Sequence, residues 1–243
     1  MVVGDVHLGS AGREEEEEAF HDFLEQVPSF GTRLVVAGDL FDFWFEYRSV
    51  VPRRPFRTVA RLAALAERGT AVDLVGGNHD RWGGSFWSRD LGIPFHADGS
   101  DLDLAGRRAH VRHGDGLTES RLGARVLQRV LRSPVAIAAF RALHPSVGFA
   151  LADVLSETLG ESNRSGAAAQ QAARAQERWA RTLLDRRPEL ALVVLGHTHV
   201  PALIEHAPGR WYLNVGQWMG DRTYAVVSAE RISLCRWPER PRD

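Results

Sequence analysis

Short apolar runs recur along the chain and predict the strands of a mixed sheet. Helical periodicity between the early runs predicts helices at Glu14–Val27 and Phe56–Arg68. Alternating strands and helices, followed by closely spaced strands, indicate an α/β sandwich rather than a purely parallel sheet. The predicted strands are Met1–Val3, Leu34–Val36, Ala71–Val75, Ala109–Arg112, Leu190–Leu195, Trp211–Val215, Thr223–Val227 and Ile232–Trp237.

A long segment, from about 117 to 187, has a helical pattern and is predicted to form a cap inserted into a single domain of residues 1–243. Four arginines lie within one arc of its first helix, at Arg121, Arg125, Arg129 and Arg132. Apolar stretches follow at Val135–Phe140 and Val147–Leu151. A basic amphipathic helix beside apolar helices suits contact with anionic lipid. Alternatively, the apolar face packs on the sandwich while the arginines face water.

Composition narrows the possible functions. The formal charge of −1 argues against bulk nucleic-acid binding, which usually needs a strongly basic domain. The single cysteine, Cys235, excludes an intrachain disulfide and is expected to be a small buried residue on a late strand. No apolar run reaches the length of a spanning helix and no export signal opens the chain, so a cytoplasmic location is expected. No obligate protein partner is evident.

Five short motifs supply carboxylates, imidazoles and an amide, each after a predicted strand. Ligand groups gather at such strand ends in open α/β sheets. This set could hold two divalent cations that together hydrolyse a phosphoric ester, and without cysteine it fits Mn²⁺, Fe²⁺ or Zn²⁺. The motifs are Asp5–His7, Gly38–Asp42, Gly77–Asp80, His113–Asp115 and Gly196–His199.

Asp39 is the candidate carboxylate for bridging the two cations. The first cation would also be coordinated by Asp5, His7 and one late imidazole. The second would also be coordinated by Asn78, His113 and the other late imidazole. The late imidazoles are His197 and His199, and their alternation on an extended segment would direct both to the same side.

From Asp5 to His199, this series of motifs resembles the calcineurin-like metallophosphoesterase superfamily. The resemblance implies a four-layered αββα fold and two metal ions that activate water for attack at phosphorus. It also implies that His79 assists the leaving group or phosphate oxygens and that Asp80 orients His79. The implied ligands of the first metal are Asp5, His7, Asp39 and His199, and those of the second are Asp39, Asn78, His113 and His197.

A narrower resemblance, to the UDP-2,3-diacylglucosamine diphosphatases of lipid A synthesis, rests on Gly38–Tyr47, Val51-Pro52 and Leu143–Pro145 together with the metal motifs. It implies cleavage of a nucleotide-linked lipid to UMP and diacylglucosamine 1-phosphate, Mn²⁺ as cofactor, and peripheral contact with the inner membrane. The well-studied branch of that family has arginine where this chain has His79. The expected substrate contacts are Asn78, Arg81, Arg121, Arg164 and Ser165.

Two other functions remain open. One is a soluble metallophosphodiesterase or phosphatase of the same superfamily. The other is a non-catalytic scaffold for protein binding, although such scaffolds tend to lose metal ligands and this set is complete.

Overall fold

A computed structural model describes residues 1–9, 12–47, 49–117, 133–148, 150–151 and 166–239. The helices in these ranges are α1 (Glu14–Phe30), α2 (Phe56–Glu67), α3 (Pro134–Ala142) and α4 (Gly166–Arg186), with a π-helical turn at Phe86–Asp90. The strands are β1 (Val2–Val3), β2 (Arg33–Ala37), β3 (Ala71–Val75), β4 (Phe95–His96), β5 (Ser100–Leu104), β6 (Arg107–Val111), β7 (Leu192–Leu195), β8 (Ala202–Ala207), β9 (Arg210–Asn214), β10 (Thr223–Val227) and β11 (Ile232–Arg236).

The strands form two sheets. The first has the order β11-β10-β1-β2-β3-β4, in which β1 to β4 are parallel and β10 and β11 antiparallel. The second has the order β5-β6-β7-β9-β8, with a parallel centre of β6, β7 and β9 and an antiparallel strand on each edge. Both sheets therefore combine parallel crossovers with antiparallel hairpins, as the chain order of the elements predicts.

Three apolar layers hold two sheets and two sets of helices together. In β2, Leu34 and Val36 face α1 and α2, whereas Val35 and Ala37 pack between the sheets. This division follows from the two-residue repeat of a strand. On the far side, Val193 and Leu195 of β7 pack against α4. The order helix, sheet, sheet, helix confirms the predicted αββα fold class.

The structure corrects the predicted element list at its edges. It adds β4, β5 and β8, which lie at edges of their sheets. It also extends α1 to Phe30 and ends α2 at Glu67. The eight predicted strands correspond to β1, β2, β3, β6, β7, β9, β10 and β11.

The described part of the predicted cap is helical in α3, at 145–148 and 150–151, and in α4. Arg121, Arg125, Arg129 and Arg132 lie outside the described residues, so the predicted basic helix and the cap as a unit stay predictions. Within the described ranges, no helix combines the length and the apolar character needed to cross a membrane.

Candidate metal centre

Each candidate ligand lies in a loop directly after the carboxyl end of a strand. Asp5 follows β1, Asp39 follows β2 and Asn78 follows β3 in the first sheet. His113 follows β6 and His197 follows β7 in the second. The relevant strands run parallel within each sheet, so their loops meet at one end of the sandwich, as the strand-end argument predicts.

The first cluster of ligand atoms comes from Asp5, His7 and His199, which offer atoms within 4.8 Å of one another. His199 Nε2 lies 3.1 Å from Asp5 Oδ1. Asp5 is held in place by the backbone N–H of His197, which donates to both carboxylate oxygens at 3.1 and 2.9 Å. The first strand's loop and the last motif are thereby joined directly.

The second cluster comes from Asp39, His113 and His197, again with atoms within 4.8 Å of one another. His113 Nε2 lies 3.0 Å from Asp39 Oδ2 and 3.2 Å from Asn78 Oδ1. All three members of the cluster are buried, whereas Asn78 is partly exposed. The centre therefore lies deep, with Asn78 towards its opening.

Asp39 connects the clusters. Its Oδ2 is 3.0 Å from His113 Nε2 in the second cluster and 3.9 Å from His7 Nε2 in the first. Its Oδ1 accepts a hydrogen bond of 2.9 Å from the backbone N–H of His79. One oxygen is thus fixed by the protein while the other faces both clusters, as a bridging carboxylate requires.

Hydrogen bonds behind the imidazoles turn their lone pairs inward. His113 Nδ1 lies 3.1 Å from the carbonyl oxygen of Ala37, to which it donates, and His7 Nδ1 lies 3.2 Å from Asp42 Oδ1. Such partners usually fix the tautomer of a ligating histidine. His113 then directs Nε2 at Asp39 Oδ2, 3.0 Å away, and this pair of atoms can share either a proton or a metal ion. His7 Nε2 is also buried without a hydrogen-bond partner. The residues therefore fit a divalent metal.

The charges of the site favour positive charge at its centre. Burial alone would lower the pKa of His113, but Asp39 and Asp5 raise it well above its ordinary value. For His7, burial is likewise outweighed by the hydrogen bond to Asp42 and by nearby carboxylates, which raise its pKa to about 9. Without metal the site holds protons instead, and bound cations would replace them.

Left-handed backbone is concentrated at the ligands. Seven non-glycine residues in the described ranges have φ between +48° and +69°. Such conformations are costly and cluster at functional sites. Both late imidazoles are among them, so the expectation of an extended segment at His197 and His199 is wrong, although both side chains do reach the site. The ligands concerned are Asp5, His7, Asp39, His197 and His199.

Glycines make room for this crowding. A Cβ atom on Gly77 would overlap the Asp39 carboxylate, and one on Gly196 would overlap that of Asp5. A Cβ on Gly38, whose φ is +97°, would overlap the ring of His113. The glycines in the motifs are therefore required by close approach to the ligands.

Comparison with known proteins agrees with this geometry. The sequence model for the calcineurin-like phosphoesterase family matches residues 1–201. The chain belongs to this family. It is therefore a metal-dependent phosphoric-ester or pyrophosphate hydrolase that takes divalent metal ions, and the resemblance inferred from its motifs is confirmed.

Curated relatives match along nearly the whole phosphoesterase chain. The UDP-2,3-diacylglucosamine hydrolase of Porphyromonas gingivalis is 28% identical over 96% of this chain and 95% of its own length. The protein of that name from Cellvibrio japonicus is 27% identical over 98% of both chains. That from Stutzerimonas stutzeri is 30% identical over 83% of this chain and 82% of its own length.

His79 and Asp80 lie beside the centre but do different work. His79 Nδ1 is 2.8 Å from the carbonyl oxygen of Asp42, and its ring packs edge-on against His7. Asp80 instead accepts backbone N–H groups of Gly77 at 2.7 Å, Leu40 at 2.7 Å and Asp39 at 3.3 Å. The expectation that Asp80 orients His79 is therefore corrected, because Asp42 holds the His79 ring while Asp80 ties together two ligand loops.

Arg81 was expected to contact substrate, but acidic groups surround it. Its guanidinium pairs with Asp98 and, at 3.4 Å, with Asp115 Oδ2. Only 10% of the side chain is exposed. Arg164, Ser165 and Arg121 lie outside the described residues, so their substrate contacts stay predictions.

Aromatic residues after Asp42 belong to the core and to the contact with α3. Trp44, Phe45 and Tyr47 are buried. The ring centroids of Phe45 and Phe140 are 4.5 Å apart, so α3 packs directly against this segment.

Sequence reasoning missed Gln176, which is fully buried on α4 beside the two histidine loops. A signal was present in the helix pattern. Ala172, Ala180 and Leu184 are buried at four-residue spacing, and Gln176 is the polar exception in that stripe.

Proposed function

We propose that this phosphoesterase hydrolyses the pyrophosphate of UDP-2,3-diacylglucosamine, giving UMP and 2,3-diacylglucosamine 1-phosphate. The observation that carries this proposal is the match, over 96% of this chain and 95% of the relative, to a UDP-2,3-diacylglucosamine hydrolase. A match of that extent includes the cap as well as the metal motifs. Recognition of a large lipid substrate would need both parts.

In this proposal the centre holds two cations, with Mn²⁺ as the preferred metal and Fe²⁺ or Zn²⁺ as alternatives. The two ligand clusters that meet at Asp39 Oδ2 support the number, and the histidine, carboxylate and amide donors support the metal class. The first cation would take Asp5, His7, Asp39 and His199. The second would take Asp39, Asn78, His113 and His197.

Bound cations would supply a water nucleophile and neutralise charge on the phosphoryl group. The protein supplies the remaining positioning. With Nδ1–H donated to the carbonyl of Asp42, His79 keeps Nε2 for the substrate and, when protonated, can donate to a phosphate oxygen or the leaving group. Asn78 lies at the partly exposed side of the centre, where its amide can contact the substrate as well as metal.

Direct contact of Arg81 with the substrate would require it to leave Asp98 or Asp115. Its proposed part is therefore to hold the loop after Asp80 against the loop after His113, close to where phosphate would bind. Arg164 and Ser165 are retained as proposed contacts because they lie in the polar break at 161–166, and Arg121 because it lies on the basic face predicted for the first helix of the segment.

Exposed apolar side chains support contact with the lipid substrate and with the membrane surface. Phe56 is 62% exposed, Val135 78% and Val147 55%. Phe56 follows the exposed arginines Arg53 and Arg54, which could pair with anionic head groups. We therefore place the enzyme in peripheral contact with the cytoplasmic face of the inner membrane.

The test is a substrate panel with the purified, Mn²⁺-loaded protein. Release of UMP is measured with UDP-2,3-diacylglucosamine as the substrate. The rates of hydrolysis of UDP-N-acetylglucosamine and bis(p-nitrophenyl) phosphate are measured for comparison. The proposal expects kcat/KM to be highest for the diacylated nucleotide and to depend on detergent or lipid. Faster turnover of the small aryl diester than of the lipid would favour the soluble phosphodiesterase alternative.

A further inference from the structure

Gln176 is a buried polar residue at the inner face of α4, whose neighbours on that face are Ala172 and Ala180. A carboxamide in such a place is costly unless each of its polar atoms has a partner. Here both ends of the carboxamide are satisfied, and three of the four partners belong to the loops that carry the candidate metal ligands, the fourth being Asn214 at the end of β9. Its position is therefore tied to the centre rather than to the packing of α4.

The donor end of Gln176 joins two ligand loops. Nε2 donates to the carbonyl oxygen of Gly196 at 3.1 Å and lies 3.4 Å from that of Gly114. Gly196 directly precedes His197, and Gly114 directly follows His113. A Cβ on Gly114 would overlap Nε2, so the loop runs as close to the carboxamide as a chain can.

The acceptor end completes a buried network. Gln176 Oε1 accepts from Asn214 Nδ2 at 3.0 Å and from the hydroxyl of Thr198 at 3.3 Å. Asn214 Nδ2 also lies 3.1 Å from the Gly196 carbonyl and 3.1 Å from Thr198 Oγ1. Thr198 lies between the two late imidazoles, so the network holds their loop at Gly196 and at Thr198.

We infer that Gln176 is a positioning residue that sets the affinity of the centre for metal by holding the two histidine loops at the required spacing. This inference rests on the proposed metal centre but not on the identity of the substrate. The left-handed backbone at His197 and His199 needs outside support, and the carbonyl of Gly196 is its anchor. Without the carboxamide, the loops lose a shared hydrogen-bond partner and the ligands lose their fixed separation.

Gln176→Met tests this role because it keeps the length of the side chain and removes its hydrogen bonds. Gln171→Met is the matched control, since Gln171 is exposed on the same helix. Affinities for Mn²⁺ and Zn²⁺ are measured by competition with a fluorescent chelator, and kcat and KM are measured against Mn²⁺ concentration. Partners behind metal ligands typically change affinity by about 10–100-fold, and a weakening in that range is expected for Gln176→Met alone.

The kinetic pattern separates positioning from a general loss of structure. Excess Mn²⁺ should restore kcat of Gln176→Met towards that of the wild type with KM for the organic substrate unchanged. Thr198→Val, which removes one hydroxyl from the network, is the second variant and decides the matter if Gln176→Met fails to fold. It should weaken metal binding in the same direction by a smaller factor.

Metal affinities of Gln176→Met and Thr198→Val equal to that of Gln171→Met would overturn the inference. So would a loss of kcat that excess metal does not restore. The chelator competition uses no substrate, so an incorrect substrate assignment would leave the affinity result intact and the two failures are distinguishable.

Discussion

Replacing Asp39 with asparagine changes one atom at the point where the two ligand clusters meet. The retained Oδ1 can still accept the backbone N–H of His79, now 2.9 Å away. The new amide nitrogen would lie where Oδ2 is, 3.0 Å from His113 Nε2, and can donate to that nitrogen. The variant should therefore fold without metal. Its amide N–H group would occupy the position at which a bridging oxygen is needed.

The size of the effect follows from linkage. A ligand that binds only the folded state at 100 times its Kd stabilises it by about 2.7 kcal/mol, so two cations give about 5 kcal/mol. For a chain of this size each kcal/mol shifts Tm by about 2–4 °C, which predicts a rise of about 10–20 °C for the wild type on addition of Mn²⁺. Asp39→Asn should lose most of this rise, because both cations would share that carboxylate in the proposed centre.

The assay is calorimetric unfolding of chelator-stripped protein with and without Mn²⁺. Asp90→Asn is the control, as Asp90 is exposed on the π-helical turn. An equal rise in Tm on addition of Mn²⁺ for Asp39→Asn and Asp90→Asn would show that Asp39 does not hold the metal. A metal-free Asp39→Asn protein that is already unfolded would contradict the predicted amide hydrogen bond.

Three other perturbations test separate parts of the structure. His79→Ala should lower kcat by about 10²–10⁴-fold with unchanged Mn²⁺ affinity, and weakened Mn²⁺ binding would make His79 a structural residue instead. Gly196→Ala should weaken Mn²⁺ binding because its methyl group meets the Asp5 carboxylate, whereas Gly209→Ala at an open hairpin should not. Burial and, to a smaller extent, Arg61 and Arg57 lower the pKa of His21 to about 4 in the folded protein. Below about pH 6.5 the unfolded chain therefore binds a proton at His21 that the folded protein does not, and the free energy of unfolding decreases as the pH falls towards 4. Urea unfolding across that range should show a shallower loss for His21→Gln, and an identical slope would remove His21 as a cause.

Central strands were predictable because they are apolar on both faces. In β2 and β7 almost every side chain is buried, which leaves a continuous apolar run in the sequence. The strands that the pattern missed, β4, β5 and β8, are edges. Asp101 and Asp103 in β5 and Glu205 in β8 face solvent there and interrupt the apolar pattern.

The convergence of the ligand motifs was predictable for a topological reason. Parallel neighbouring strands must place their following loops at one end, so residues from Asp5 to His199 meet although 194 positions separate them. The backbone conformation of those loops was not predictable, because left-handed φ values at aspartate and histidine are imposed by the surrounding contacts.

The contacts of Arg81 and Gln176 could not be predicted from the residues near them in the sequence. The partners of Arg81 are 17 and 34 residues away, and nothing near it in the sequence names them. Gln176 was detectable as a polar interruption of an apolar stripe. Its importance depends on Gly114 and Gly196, which only the packed sheets bring to α4.

Anomalous diffraction from crystals loaded with Mn²⁺ tests most directly whether Asp39 joins a dinuclear centre. A dinuclear centre bridged by Asp39 predicts two peaks about 3.5–4 Å apart, one beside Asp5, His7 and His199 and the other beside His113 and His197, with Asp39 between them. A single peak at full occupancy, or two peaks of which neither contacts Asp39, would contradict it.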